Sequence, residues 1–168
     1  MNVFYGAAIQ GLRDKSERVE LNQFLINCIK ENGFNVSTEH TSGKTYEEVM
    51  KKMEEAIGKM PEGDLNRRVF VRDKMIEAIE GDVCACVFEV SVPSLGTGVE
   101  IAHAYLRPRM GLPVVPVLAL YEKGYWPNKL SSMIRGISPD VAPHFVLKEY
   151  VDSDEARTIL LDFLDSLK

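Results

Sequence analysis

An unbroken apolar run, Val83 to Phe88, constrains the fold of this chain more than any other feature. A strand with one solvated face alternates apolar and polar residues, whereas consecutive apolar residues are typical of a strand covered on both faces. Strands of that kind belong to parallel sheets that carry helices above and below. The run therefore predicts an α/β protein, in which the rest of the chain supplies neighbouring strands and covering helices.

Strand and helix patterns alternate on both sides of this run. Apolar runs predict strands over residues 2–8, 34–38, 82–89, 112–120 and 144–148. Apolar residues at helical spacing predict helices after Asp14, after Thr45, and over 65–80, 99–106 and 152–167. Such alternation predicts a five-stranded parallel sheet with helices on both faces, flavodoxin- or Rossmann-like, in the order 2-1-3-4-5. Pro113 and Pro116 fit poorly within the fourth strand, because proline is disfavoured in central ladders.

Length, charge and cysteine content narrow the class of protein. The 168 residues fit one domain, and the net charge of -5 argues against a non-specific nucleic-acid binder. No apolar run approaches the roughly 20 residues that span a bilayer, so we expect no membrane partner. The three cysteines lack C-x-x-C spacing, and the three histidines lack metal spacing. We expect buried, reduced cysteines, a cytoplasmic protein and no metal site.

The segment from Glu89 to Glu100 joins the third strand to a helix through a glycine-rich turn. In an open parallel sheet, ligands bind beyond the carboxyl ends of the strands, where the strand order switches. For the order 2-1-3-4-5 that place is formed by the loops at 6–11 and 91–98, both rich in small residues. A helix that begins after such a turn can hold an anion on its free N–H groups.

Glu100 has two interpretations at this stage. Thr97-x-x-Glu100 fits a capping box, in which the carboxylate would only satisfy a backbone N–H. Alternatively, Glu100 is a nucleophile or base at the mouth of the sheet. Likewise, Ser91, Ser94 and Thr97 are either capping hydroxyls or part of an anion site.

Asp73 is the second candidate acid. It shares a helix face with Val69 and Ile76, and an acid on a core-facing stripe is costly unless it has partners. It is therefore either a paired structural acid or a catalytic acid whose pKa is raised by partial burial.

Two motifs together resemble those of the 2'-deoxynucleoside 5'-phosphate N-hydrolases, within the nucleoside 2-deoxyribosyltransferase superfamily. The motifs are Glu89-Val-x-x-Pro-Ser-Leu-Gly-x-Gly-x-Glu100 and Leu130-Ser-x-Met-Ile-Arg-Gly136. The resemblance covers most of the chain and implies one nucleoside 2-deoxyribosyltransferase-like domain over 1–168. It extends to Phe4-x-Gly6, to Thr38-Glu39-His40, and to Asp73 before the third strand.

This resemblance implies hydrolysis of the N-glycosidic bond of 2'-deoxynucleoside 5'-monophosphates, giving free base and 2-deoxyribose 5-phosphate without a cofactor. It places the nucleophile on Glu100, the helix aspartate on Asp73, and phosphate-binding serines on Ser94 and Ser131. Ser131 would come from the neighbouring subunit of a homodimer. The remaining substrate-binding positions that it implies are Tyr5, Gly6, Gly96, Gly98 and Met133.

The first loop departs from the family pattern. The family carries Gly-Ser-Ile-Arg-Gly there, whereas this chain has Gly6-Ala-Ala-Ile-Gln-Gly11, which lacks the hydroxyl and the cation. The departure motivates a rival function, deoxyribosyl transfer between bases on deoxynucleosides. The Thr97-x-x-Glu100 pattern motivates another, a non-catalytic nucleotide-binding module in which Glu100 is only a cap.

Overall fold

The computed structural model describes residues 1–9, 16–38, 45–125 and 130–168. Its sheet has five strands, all parallel, in the order β2-β1-β3-β4-β5, which confirms the predicted order. The strands are β1 (Asn2–Ala7), β2 (Asn35–Val36), β3 (Ala85–Glu89), β4 (Val117–Glu122) and β5 (Phe145–Tyr150). Every residue of β3 is buried, as the unbroken apolar run predicts.

The described part of the chain contains six helices. They are α1 (Ser16–Glu31), α2 (Tyr46–Ile57), α3 (Asp64–Glu80), α4 (Leu95–Tyr105), α5 (Ser132–Arg135) and α6 (Ser153–Asp165), with a 3-10 turn at Arg107–Met110. Helices α1 and α6 pack together over one face, and α3 and α4 pack together over the other. The predicted capping box at Asp14 lies outside the described residues.

Alternate residues of the buried strands enter two separate cores. Tyr5 and Val87 belong to the cluster under α1 and α6, and Phe4, Cys86 and Phe88 belong to the cluster under α3 and α4. This follows from the two-residue period of a strand, which sends successive side chains to opposite faces. A residue's place in a strand therefore determines which side of the sheet its side chain can serve.

Two element boundaries correct the sequence prediction. Strand β4 begins at Val117, immediately after Pro116, because proline has no N–H to donate to a ladder. Pro116 pairs only through its carbonyl, which accepts a hydrogen bond from the Cys86 N–H at 2.9 Å. Helix α4 begins at Leu95, four residues earlier than predicted, because Ser94 caps it. The glycines at 96 and 98, interpreted as turn residues, lie inside the helix.

The other boundaries differ by a few residues. Strand β2 is limited to two residues, and β5 begins one residue later and ends two residues later than predicted. The capping prediction at Thr45 is confirmed, since its hydroxyl accepts a hydrogen bond from the Glu48 N–H at 3.2 Å. Among the described residues, no helix has the length and apolar character needed to traverse a bilayer.

Candidate functional site

The strand order switches between β1 and β3, which lie side by side with Gly6 paired to Phe88. Strand β2 continues the sheet from one side of β1, and β3, β4 and β5 continue it from the other. In open parallel sheets, ligands bind in a crevice at such a point, above the carboxyl edge. The loop after β3 leads directly into α4, whose start borders that crevice.

Ser94, not Thr97, is the cap of α4. The Ser94 hydroxyl accepts a hydrogen bond from the Thr97 N–H at 3.2 Å. Thr97 is buried in the first turn, and Glu100 follows it in the second turn. The prediction of a Thr97-x-x-Glu100 capping box is therefore wrong, since a carboxylate in the second turn does not accept hydrogen bonds from the first N–H groups of its own helix.

Glu100 instead lies against the end of β1. A Cβ placed on Gly6 would lie 3.0 Å from Glu100 Oε2 and 2.6 Å from Phe88 Cδ1, so a larger residue would force one of them to move. Glycine at position 6 thus allows the carboxylate to approach the backbone of the first strand. The two sequence-predicted residues meet at the switch point.

Burial alone governs the ionisation of Glu100. The side chain is partly buried, and within the described residues no hydrogen bond or ion pair reaches its carboxylate. Loss of water without a compensating charge raises its pKa from 4.5 to about 7. A carboxyl group with that pKa and both oxygens uncommitted can act as a nucleophile or exchange a proton near neutral pH.

Gly96 lies one helical turn before Glu100 and therefore on the same face of α4. A Cβ at Gly96 would have only Ser94 Oγ nearby, at 3.7 Å, and a Cβ at Gly98 would meet nothing within 4 Å. Glycine within a helix costs about 1 kcal/mol relative to alanine, and packing against the described residues does not explain either glycine. The two glycines leave the start of α4 open for a ligand to approach its backbone.

The structure does not bring the Tyr5 side chain to Glu100. Tyr5 is 0% exposed, lies under α1, and donates its hydroxyl hydrogen bond to Asn22 Oδ1 at 2.8 Å. Gly6, the next residue, faces the α4 side instead. The alternation of the strand thus directs these two predicted substrate-binding residues to opposite faces of the sheet.

Asp73 lies in the middle of α3, and its side chain is 46% exposed. The interpretation of its helix face is wrong: Val69 is exposed, and the buried residues of α3 are Met75 and Ile79. Asp73 Oδ1 pairs with Arg72 Nη1 at 2.7 Å. Because α3 runs toward the amino edge of the sheet before β3, Asp73 lies about 9 Å nearer the carboxyl edge than Ile79.

Ser131 and Met133 lie on α5, on the same side of the sheet as α4. The Ser131 hydroxyl caps α5 by accepting from the Met133 N–H at 3.2 Å, and both side chains are exposed. Leu130 and Ile134 pack against the core under α3 and α4, which anchors the turn. Ser131 and Met133 therefore face outward from the protomer.

The sequence interpretation assigned no role to a buried polar cluster on the opposite face. Glu89, Arg18 and Tyr150 are all buried there and contact one another. One signal was present: Glu89 is an acid at the end of an otherwise apolar strand, where an unpaired charge would be costly. Its partners come from distant parts of the chain, so the pattern alone could not identify them.

No group of three or more histidine, cysteine or acidic residues in the described ranges could hold a metal ion. Cys28, Cys84 and Cys86 are free thiols, the first and last of them buried. The fold and the site together define a flavodoxin-like α/β protein, with a carboxylate at its switch point that has no partner among the described residues.

Comparison with known proteins gives a family. A protein of Thermofilum pendens named "Putative 2'-deoxynucleoside 5'-phosphate N-hydrolase 1" is 35% identical over 168 residues, covering 99% of this chain and 94% of the relative. A Methanosarcina mazei protein of the same name is 27% identical over 167 residues, covering 99% of this chain and 85% of the relative. The chain therefore belongs to the 2'-deoxynucleoside 5'-phosphate N-hydrolase family. No protein-family model matches it.

Proposed function

We propose that this protein hydrolyses the N-glycosidic bond of 2'-deoxynucleoside 5'-monophosphates and releases the free base and 2-deoxyribose 5-phosphate. The observation that carries the proposal is Glu100, a partly buried carboxylate beside Gly6 at the switch point of the sheet, with no partner among the described residues. The names of the two relatives support the same substrate class.

In this proposal Glu100 attacks the anomeric carbon as the bond to the base breaks. The bonding pair leaves with the base, and the sugar passes through an oxocarbenium-like state before it forms an ester with the carboxylate. Water then attacks the same carbon, the ester bond breaks, and the proton passes to solvent or to a nearby base. The absent 2'-hydroxyl makes the cation easier to form, which suits a deoxyribosyl substrate. The scheme needs no metal or redox cofactor.

Asp73 is proposed to protonate or position the leaving base. Asp73 lies on α3, which packs against α4, and on the part of that helix nearer the carboxyl edge of the sheet; this place supports the role. The base accepts a proton or hydrogen bond as it departs, so a carboxyl group on that side lowers the barrier.

The start of α4 is proposed to bind the 5'-phosphate. Its first N–H groups carry the positive end of the helix dipole, Ser94 adds a hydroxyl, and Gly96 and Gly98 leave their backbone accessible. The proposal relies on this half of an anion site, because the loop after β1 lacks the cation found in the family.

A homodimer with composite sites is proposed to complete the phosphate end, with Ser131 reaching the neighbouring site beside Met133. Exposed apolar side chains support it: Leu95 is 94% exposed and Met133 81%, and both lie on the α4 side of the sheet, as do Leu65, Val69 and Val99. Apolar residues grouped on one face of a protomer are typical of a protein–protein contact.

A chromatographic assay of base release tests the reaction. The protein is incubated with each deoxynucleoside and each deoxynucleoside monophosphate, with and without a second base. We expect free base from the monophosphates, and no turnover in a folded Glu100→Ala variant. Release of base by that variant at the wild-type rate would show that Glu100 is not the nucleophile.

The same assay separates two alternatives. The altered loop Gly6-Ala-Ala-Ile-Gln-Gly11 favours a deoxyribosyltransferase that tolerates a free 5'-hydroxyl, and base exchange on unphosphorylated deoxynucleosides would support it. Tight binding of deoxynucleotides without release of base would instead support a non-catalytic nucleotide-binding module.

A further inference from the structure

Five polar side chains form a cluster at the carboxyl ends of the strands, across the sheet from Glu100. The members of this Arg18–Glu89 cluster are Arg18, Glu89, Ser91, Glu122 and Tyr150. Glu89 ends β3 and projects under α1 and α6, whereas Phe88 projects toward α4. The proposed reaction uses none of the five.

Glu89 Oε1 is the centre of the cluster. It accepts hydrogen bonds from the Tyr150 hydroxyl at 2.9 Å, from the Ser91 N–H at 3.2 Å, and from the Ser91 hydroxyl. Ser91 Oγ in turn accepts from the Glu122 N–H at 2.7 Å. Ser91 thus joins the first residues after β3 to the ends of β4 and β5.

Arg18 closes the cluster from the first turn of α1. Its Nη1 donates to the Tyr150 hydroxyl at 2.9 Å and lies 3.6 Å from Glu89 Oε1. Its Nη2 pairs with Glu122, and its guanidinium lies 4.1 Å from the centre of the Tyr125 ring. One buried cation therefore connects the chain after β1 with the ends of β3, β4 and β5.

The Arg18–Glu89 cluster holds, through Ser91, the segment that leads from β3 to α4 and the candidate site. The parallel ladder of β3 reaches the Val90 N–H, which bonds to the Leu120 carbonyl at 2.9 Å. Ser91 follows, and only two residues separate it from Ser94, the cap of α4. A shift of Ser91 therefore moves the start of α4, and with it Glu100 in the second turn.

Stability alone is a weak reason for such a cluster. Desolvation of the Glu89 carboxylate and the Arg18 guanidinium offsets much of their attraction, and well-packed apolar side chains are often as stable in such places. What directional hydrogen bonds and a planar guanidinium add is a single defined geometry for the chain segments that they join.

We infer that Glu89 and Arg18 are positioning residues, which hold the segment from Ser91 to Ser94 so that α4 presents Glu100 to the substrate. Their link to turnover rests on the proposed function. Their effect on the segment does not, since it can be measured in the absence of any reaction.

Three variants test the inference: Glu89→Gln, Arg18→Met and the combination of both. Each is measured for kcat, KM and amide hydrogen exchange. We expect kcat to fall on the order of 10- to 100-fold with a smaller change in KM, since misplacement of a reacting group by about 1 Å has effects of that size. We also expect faster amide exchange in residues 90–98. Because the two residues act together, the double variant should lose no more kcat than the more impaired single variant.

Arg107→Gln is the matched control. Arg107 is also a buried cation, but it binds the carbonyls of Ile79, Gly81 and Pro113 at the opposite, amino edge of the sheet. We expect it to lower the melting temperature while kcat of the folded protein and exchange in residues 90–98 stay unchanged. If Glu89→Gln and Arg18→Met do not fold, Tyr150→Phe is tested instead, because it removes only one hydrogen bond to Glu89. We expect it to lower kcat and to speed exchange in residues 90–98, both by a smaller factor.

The outcomes separate the inference from the proposed function. A wild-type protein that releases no base contradicts the function, and exchange in residues 90–98 then decides the inference alone. If Glu89→Gln and Arg18→Met lower the melting temperature but leave both kcat and that exchange as in the wild type, the cluster is only structural and the inference is wrong.

Discussion

Glu100 combines burial with the absence of a partner among the described residues, and this combination costs stability. Burial raises its pKa from 4.5 to about 7, so the folded protein retains a proton that the unfolded chain has already released. Stability therefore falls as the pH rises from about 4.5 to about 7, and the ionised form remains a cost at higher pH. Such a cost is common where a group serves catalysis.

Glu100→Gln is expected to abolish base release and to stabilise the protein at pH 8, by about 1 to 3 kcal/mol after allowance for partial solvation. The gain should shrink toward pH 4, where the wild-type carboxyl is protonated in both states. Thermal unfolding at the two pH values, with Glu149→Gln as an exposed control, measures it. A loss of stability at pH 8 would mean that Glu100 has a structural partner.

The reaction should depend on the ionisation of the same group. A nucleophile must be deprotonated, so kcat is expected to fall about tenfold per pH unit below about 7 and to level off above it. Measurement at saturating substrate avoids the titration of the free nucleotide phosphate. The Glu100 carboxyl resonance, assigned by its absence in Glu100→Gln, should titrate with a midpoint near 7. A midpoint below 5 would contradict the raised pKa and the fall in kcat below pH 7, although an ionised Glu100 could still act as the nucleophile.

At the scale of single elements, α4 differs from α2 and α6 although all three have side-chain caps. Ser94, Thr45 and Asp152 each accept a hydrogen bond from an N–H three residues on. Only α4 begins next to the switch point and carries two glycines in its first turns. Its start is therefore proposed to bind a ligand as well as to begin the helix, and the loss of its cap should then have two effects.

Ser94→Ala is expected to cost about 1 kcal/mol of stability, as for other hydroxyl caps, and also to raise KM for monophosphates. Thr45→Ala removes the same kind of cap from α2 and should lower stability alone. Unfolding and steady-state kinetics on the two variants make the comparison. Equal KM values for both variants and the wild type would argue against a phosphate at α4.

Two of the largest errors in element prediction have local causes. Helix α4 begins four residues early because glycines, read as turn signals, are tolerated in a helix that a good cap has started. Strand β4 begins five residues late because the two prolines, although apolar, cannot join the ladder. Neither error changes the predicted location of the site, since both elements keep their place in the chain order and their direction.

At the scale of the whole molecule, the homodimer prediction concerns whether one protomer holds a complete site. Asp73, Glu100 and Ser94 lie on α3 and α4 or at their ends, whereas Ser131 faces outward on α5. The homodimer prediction therefore has a specific consequence: two variants that are each inactive for a different reason should complement one another.

Glu100→Gln and Ser131→Ala, mixed and allowed to exchange subunits, are expected to recover about a quarter of the wild-type rate at low substrate. Half of the exchanged dimers are mixed, and each holds one intact site. Sedimentation should show a dimer that Leu95→Glu dissociates. Recovery no greater than the sum of the separate variants would place Ser131 and Glu100 in sites of a single protomer.

The amino-acid pattern alone determined the class of fold and the strand order, and the strand order defines the switch point at which the site is predicted. Consecutive apolar residues in β3 require helices on both faces, and a sheet of that kind has its crevice at the switch point. The pattern also identified Glu100 and Gly6, which the structure brings to adjacent positions. Their roles in a reaction stay predictions.

Only the tertiary structure decided what surrounds these residues. Whether Glu100 is a cap or an uncommitted carboxylate depends on where α4 begins and on how closely Gly6 approaches, and neither distance is present in a local pattern. The same holds for Tyr5, which alternation directs away from the crevice, and for Arg18 and Tyr150, which meet Glu89 from 71 and 61 residues away. Local pattern sets periodicity and order, whereas burial and partnership arise only when distant segments pack together.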